Sequence, residues 1–416
     1  MQCILVQLKS LVTPKKLVLL TIIVALMATT IHRGDFFAHE EQAYVILHDH
    51  QLPYAQPQEE KNSWYPPLFL IFPVIALGLE TLVFGNLFHS GVLRPLFYVL
   101  LKLPSLILFL YLARFFNDDE KPLWLYSPLI IFVFAVWGQI DVTVTALTYL
   151  AYLKLQDRKT VSALLLSMAI SIKLYPVILL PLFAVSLTGA KKKVEYFVMT
   201  AVFTAMFCFP LLFNEGWRTL LVQANRGVFG FTIPSVLFHA KSLGLIPNFT
   251  TLEYADYSSL ANLIGKVVFI LWSAFAAFKV YRTKKLRRYV VLTILLYYLT
   301  STWLLPQHLV FVLPFLIPIL AASPWLKRIY LLLNVAPIPY PLLFLYHPLY
   351  FFVYSESPGT QFMTEELMGR WFRDWMTFHP LLTISVPIIL IAIGLLLLHR
   401  DVEVVTDLNP ITPQLS

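Results

Sequence analysis

Three kinds of chemically able residue stand out in a chain that is otherwise mostly hydrocarbon. The first is a run of acids and histidines in residues 33–69, RGDFFAHEEQAYVILHDHQLPYAQPQEEKNSWYPPLF, which carries Asp35, His39, Glu40, Glu41, His48, Asp49 and His50. A carboxylate beside apolar Phe36 and Phe37 is partly desolvated and so a stronger base, which makes Asp35 the candidate general base. Glu40 and Glu41, five and six residues on, meet that face only loosely on a helix and are second choices, as acceptor contacts. The second kind is cationic. Arg226 in QANRG has a planar fork that can grip the oxygens of an anion bidentately, Lys173 precedes the helix-interrupting Tyr175-Pro176, and His308 follows Pro306-Gln307 at the start of an apolar segment. The third is the pair Gln139 and Asp141 in WGQID, suited to hydrogen bonding between helices. HDH at 48–50 has metal-ligand types but reads as a solvated cluster. Cys3 and Cys208 lie too far apart to suggest a disulfide framework or a metal spacing.

The elements that must hold these residues are set by composition. The 416 residues are 58% hydrophobic and 13% charged, with a mean hydropathy of +0.73. That is more apolar surface than a soluble core of this length needs, and it marks a polytopic membrane protein. The net charge of +8 comes in short clusters between apolar runs, at Lys15-Lys16, Arg158-Lys159, Lys191 to Lys193, Arg282 to Arg288 and Lys327-Arg328. This is the pattern of cytoplasmic loops and not of a nucleic-acid footprint. The first apolar run, 17–31, has a loose cleavage-like Ala25-Leu-Met-Ala28, but it is read as an uncleaved helix holding the loop that follows. About a dozen further apolar segments lie between 67 and 398, several too short to span alone, which must be buried among others, tilted or re-entrant.

Parity of the basic clusters places 32–66, 214–258, Pro306 to His308 and 354–379 on the outer side. Gln139, Asp141 and Lys173 also fall outside when counted back from the clusters at 158 and 191. Counted forward from Lys15, they fall inside, so the two counts differ by one crossing between residues 67 and 138. Either the segment beginning at Pro66 does not cross fully, or a short neighbour is re-entrant. Ionisable groups near hydrocarbon are costly and usually functional, so their collection on one face is the central feature.

In chain order, GDF…Y…LPY…WYPPLF, WGQIDVTVTAL, SIKLYPVILLP, QANRGVFG and LLPQHLVFVLPF resemble the GT-C superfamily of membrane glycosyltransferases. Within it they resemble the polyprenyl-phosphate-mannose-dependent mannosyltransferases, among them the catalytic subunit of GPI mannosyltransferase I and its bacterial and archaeal relatives. The resemblance runs from about Gly34 to Pro314. It implies an all-α, GT-C-like bundle of roughly 11–13 transmembrane helices, with short interfacial helices in the first extracytoplasmic loop. It also implies an acid just after the first helix, where Asp35 stands. The GPI enzyme has an Asp-x-Asp pair there and this chain a single Asp, so no cofactor and no bound metal is expected, although a divalent ion is conceivable.

The implied reaction moves a sugar, mannose by resemblance, from a polyprenyl-phosphate donor to a hydroxyl of a lipid- or glycan-linked acceptor, with inversion. Asp35 would serve as base, Arg226, Lys173 and His308 would hold the donor phosphate, and Gln139, Asp141 and Gln307 would support them. The chain shows no glycine-rich phosphate loop, zinc spacing or nucleophile elbow, and no soluble stretch longer than 214–258 to hold a nucleotide sugar. The expected organisation is a tail and first helix (1–31), a catalytic loop (32–66), a helical module (67–213), a loop with donor-phosphate contacts (214–258), C-terminal helices (259–400) and a cytoplasmic tail (401–416). Expected partners are donor, acceptor and membrane lipids, with no nucleic acid and a small membrane subunit left open. The membrane would be the plasma membrane in a prokaryote and the endoplasmic reticulum in a eukaryote. A transporter or flippase of lipid-linked sugars is the alternative, but it calls for polar groups at the midplane and internal repeats.

Overall fold

A computed structural model of the chain describes residues 14–30, 33–53, 66–85, 95–212, 217, 229–242, 254–321, 324–339 and 379–399. The fold is all-α, as the hydropathy pattern requires. Four helices are long and apolar enough to cross a membrane alone: Pro67–Phe84, Leu96–Phe115, Ala190–Leu211 and Asp256–Thr283. Shorter apolar helices, such as Lys159–Ile172, Tyr175–Ser186 and Pro306–Leu320, fill the interior between them. The helix Asp141–Lys154 is the extreme case, buried at every residue from Asp141 to Tyr152. Two of its three threonines are tolerated there because they find partners, whereas the Thr145 hydroxyl has none among the described residues. Ser105 and Thr143 hydroxyls meet at 2.9 Å, and Thr148 donates to the Val144 carbonyl at 2.8 Å. Helix starts are set by proline, at Pro67, Pro128 and Pro306, where the missing N–H is an orphan anyway.

Lys102, fully buried within an apolar helix, ties three elements at one level. Its ammonium donates to the carbonyls of Met27 at 3.0 Å and Ala135 at 2.9 Å, and to that of Thr30. Farther along the same helix Ser105 meets Thr143, and then the Phe109 carbonyl accepts from the Trp124 indole at 2.8 Å. The chain therefore runs from the Thr30 level to the far end by Trp124, and returns through Pro128–Ile131 and the π-helix Phe132–Trp137 to residue 139.

The helix Pro67–Phe84 keeps to the near end. Phe69 and Leu70 pack with Ile140 and Val144, while Ala76 and Leu77 pack with Phe97, Tyr98 and Leu101, which precede Lys102 in its helix. With this helix counted as lying on the outer side and not as a crossing, the basic clusters have uniform parity along the whole chain. That is the first of the two repairs the sequence allowed.

The loop after the first helix forms the helix Arg33–Leu47. His39 is buried with its ring 4.7 Å from that of Phe69, which brings this helix to the end of the bundle where Ile140 lies. Between the long loop and the helices, Phe229–Gly230 pairs in parallel with Trp303–Leu304. Gly230 has φ +82°, and a Cβ there would stand 1.8 Å from the Leu304 carbonyl oxygen, so only glycine allows the contact.

Candidate functional site

Two antiparallel helices bring opposite charges together. The π-helix Phe132–Trp137 ends at Gly138, whose left-handed φ of 82° turns the chain, and Asp141 then opens the helix Asp141–Lys154. The helix Lys159–Ile172 rises beside it and stops at Lys173, whose backbone is extended before the 3₁₀ turn Tyr175–Leu179. A carboxylate at a helix start and an ammonium at a helix end each suit the local dipole. They meet in the interior, with Lys173 Nζ 2.7 Å from Asp141 Oδ2 and 3.4 Å from Gln139 Oε1. The Tyr175 hydroxyl donates to Asp141 Oδ1 at 3.1 Å, so both carboxylate oxygens are used. Asp141 is wholly buried and Lys173 nearly so. Pairing compensates the desolvation, and losing one partner of such a pair costs about 3–5 kcal/mol.

Lys173 also faces a cavity of about 380 Å³. One wall is Lys173, Tyr175 and the turn Ser301 to Trp303 with Gln307 and His308. The other is Asn262, Gly265, Lys266 and Phe269 of the helix Tyr254–Thr283, and Pro66 stands at the edge. The two walls come close because Gly265 has no side chain: a Cβ there would lie 2.1 Å from the Thr300 carbonyl oxygen. His308 Nδ1 accepts the Leu305 N–H at 3.1 Å, closing the first turn of the helix Pro306–Leu309. The neutral ring therefore carries its proton on Nε2. Its orientation is fixed further by the edge of Tyr175, centroids 5.7 Å apart, and its own carbonyl accepts from the Tyr298 hydroxyl. Cations and N–H donors around one concave space can take an anion's oxygens.

Of the residues singled out from sequence, the structure gathers Gln139, Asp141, Lys173, Gln307 and His308 at one end of the bundle. Glu40 and Glu41 lie on Arg33–Leu47, Glu41 exposed, and neither lines the cavity. Asp35 lies in the first turns of that helix, with its side chain outside the described residues, and Arg226 lies outside them altogether, three residues before Phe229. His48 Nδ1 and Asp49 Oδ1 meet at 3.0 Å on the surface. Among the described residues no group of three or more His, Cys, Asp or Glu is placed to hold a metal.

Two lining residues do not follow from the sequence reading. Tyr175 reads in sequence as a break in the helix, whereas it shares the Asp141 carboxylate. Lys266 is the lone charge between Asp256 and Lys279 in an apolar helix, a signal that sequence offers.

A search among curated proteins found no match. A family model, glycosyltransferase family 87, matches residues 64–306, more than half of the 416 residues. The matched stretch contains Gln139, Asp141, Lys173, Tyr175 and Lys266. It ends at Pro306, immediately before Gln307 and His308, and Asp35 precedes it. An all-helical bundle apolar enough to sit in a membrane, with its polar groups gathered around a cavity at one end, agrees with that match, and the chain belongs to glycosyltransferase family 87.

Proposed function

We propose that this membrane glycosyltransferase takes its sugar, mannose by resemblance, from a polyprenyl-phosphate donor and passes it to a hydroxyl of a lipid- or glycan-linked acceptor on the extracytoplasmic side. The acceptor oxygen bonds to the anomeric carbon from the face opposite the phosphate, the bond from that carbon to the phosphate oxygen breaks, and polyprenyl phosphate leaves. One displacement inverts the anomeric centre. Asp35 takes the hydroxyl proton, and Lys173, Lys266 and His308 Nε2–H meet the charge that grows on the leaving phosphate, with Arg226 joining them. Glu40 and Glu41 contact the acceptor. With a single acid at the position of Asp35, the reaction in this reading needs no divalent ion.

The observation that carries the reading is the cavity with Lys173, Lys266 and His308 in its walls, at the end of the bundle reached by the helix Arg33–Leu47. A lipid donor suits a site that opens among apolar helices, because the polyprenyl chain stays in the bilayer while its headgroup enters. The direct test is incubation of the purified protein in lipid with radiolabelled polyprenyl-phosphate mannose and cell-derived acceptors. Transfer of label supports the reading. Transfer from nucleotide sugars with none from any polyprenyl-phosphate sugar would sink it. In the same assay Asp35→Asn is expected to lose on the order of a hundredfold in turnover at normal expression, and near-normal turnover would remove Asp35 from its role.

A further inference from the structure

The reading of the cavity as the site of the donor headgroup leaves one of its groups without a task. Gln307 is 6% exposed, lines the cavity, and its Oε1 has no hydrogen-bond partner among the described residues. It is not spent on the helix it opens, because the Leu305 N–H goes to His308 Nδ1. A buried amide oxygen without a donor weakens the empty protein, and such a group persists where a ligand completes it. Proline at 306 and the histidine clasp at 308 hold the turn that carries it, so the acceptor is presented in a fixed place.

The chemistry of that atom selects its ligand. An amide oxygen accepts and cannot donate, and a phosphodiester at neutral pH has no proton to give it. The phosphate is better served by Lys173, Lys266 and His308. A hydroxyl on the sugar ring donates. The cavity, at about 380 Å³, lies toward the small end of ligand pockets and suits a monosaccharide phosphate better than an oligosaccharide. We propose that Gln307 is a specificity-determining residue, accepting a hydrogen bond from one hydroxyl of the transferred sugar and so choosing which sugar is moved. This rests on the donor reading above.

A site built around a hydrogen bond to a hydroxyl rejects the analogue lacking it, because the protein group is then left unpaired. The experiment compares kcat/KM for the best polyprenyl-phosphate sugar with those for its monodeoxy analogues, in wild type, Gln307→Leu and Gln307→Glu. Wild type is expected to disfavour one monodeoxy donor by on the order of a hundredfold. Gln307→Leu should bring that one ratio to within a few-fold of unity, leaving the others unchanged. Gln307→Glu, which keeps an acceptor, should retain the discrimination at a higher donor KM, because its charge opposes the phosphate. Without substrate, Gln307→Leu should melt no lower than wild type, since it removes an unsatisfied buried oxygen; a loss that merely followed unfolding would show there. Discrimination against every monodeoxy donor persisting in Gln307→Leu would overturn the proposal, as would equal losses on all donors. If wild type moves sugar from no polyprenyl-phosphate donor, the donor reading itself fails and takes this inference with it. Turnover with unchanged ratios condemns Gln307 alone.

Discussion

Lys173 is a cation whose charge is already balanced, since Asp141 lies 2.7 Å behind it. The pair places a donor toward the cavity without adding much net charge there, and Lys266, which also lines the cavity, brings a second cation to the same space. Changing Lys266 to Gln is accordingly expected to raise the donor KM about tenfold or more, with a smaller effect on kcat, as loss of a contact made in both ground and transition state does. Equal donor affinity in wild type and variant would place the phosphate elsewhere. The pair behind it makes a different prediction. Asp141→Asn and Lys173→Met should each destabilise by about 3–5 kcal/mol, because each leaves a buried charge without its counter-charge. The double variant should recover much of that stability by chemical denaturation and still lack activity. Additive losses would show that the two charges are not coupled.

At the scale of elements, the site depends on how helix ends are levelled against one another. Lys102 sets that level for the first helix by donating to carbonyls on two neighbours. A net hydrogen bond is worth on the order of 1 kcal/mol and burying the amine is itself costly, so Lys102→Met should cost roughly 1–3 kcal/mol. It should also let the helix Arg33–Leu47 shift, since that helix continues the chain just beyond Thr30. The expected result is a lower melting temperature, with kcat falling more than donor affinity, because the helix carrying Asp35 moves and the cavity does not. A variant as stable and active as wild type would mean that the three carbonyls are not what positions this helix. Gly265 and Gly230 act the same way by closeness. One lets a helix approach Thr300 across the cavity, and the other seats the strand at Phe229 against Leu304.

For the whole molecule the question is sidedness, because the proposed base and phosphate ligands must share a compartment. In a background lacking Cys3 and Cys208, cysteines at Glu41 and Lys266 should react with an impermeant thiol reagent from outside. Those at Asp118, Asp157 and Lys192 should need permeabilised cells. Asp118 is the discriminating position: counting Pro67–Phe84 as a full crossing puts it outside, and counting that helix as not crossing puts it inside. Labelling of Asp118 from outside would overturn this arrangement.

Much of this was legible in the sequence. Apolar runs, basic clusters and prolines determine that the chain is a helical membrane protein and where many helices begin, because lipid leaves the backbone few ways to satisfy its own polar groups. Order along the chain also marked Gln139, Asp141, Lys173, Gln307 and His308, since ionisable and amide groups in apolar surroundings are costly and therefore conspicuous. Partnership was not legible. That Asp141 binds both Lys173 and Tyr175, that Lys266 lines the same cavity, and that Pro67–Phe84 packs on Phe97, Tyr98 and Leu101 depend on contacts between residues far apart in the chain. Hydropathy measures each segment against lipid and says nothing of which neighbour it meets. An 18-residue apolar helix reads the same whether it crosses the bilayer or packs along other helices, and only the tertiary structure, by matching its side chains to particular partners, decides between them.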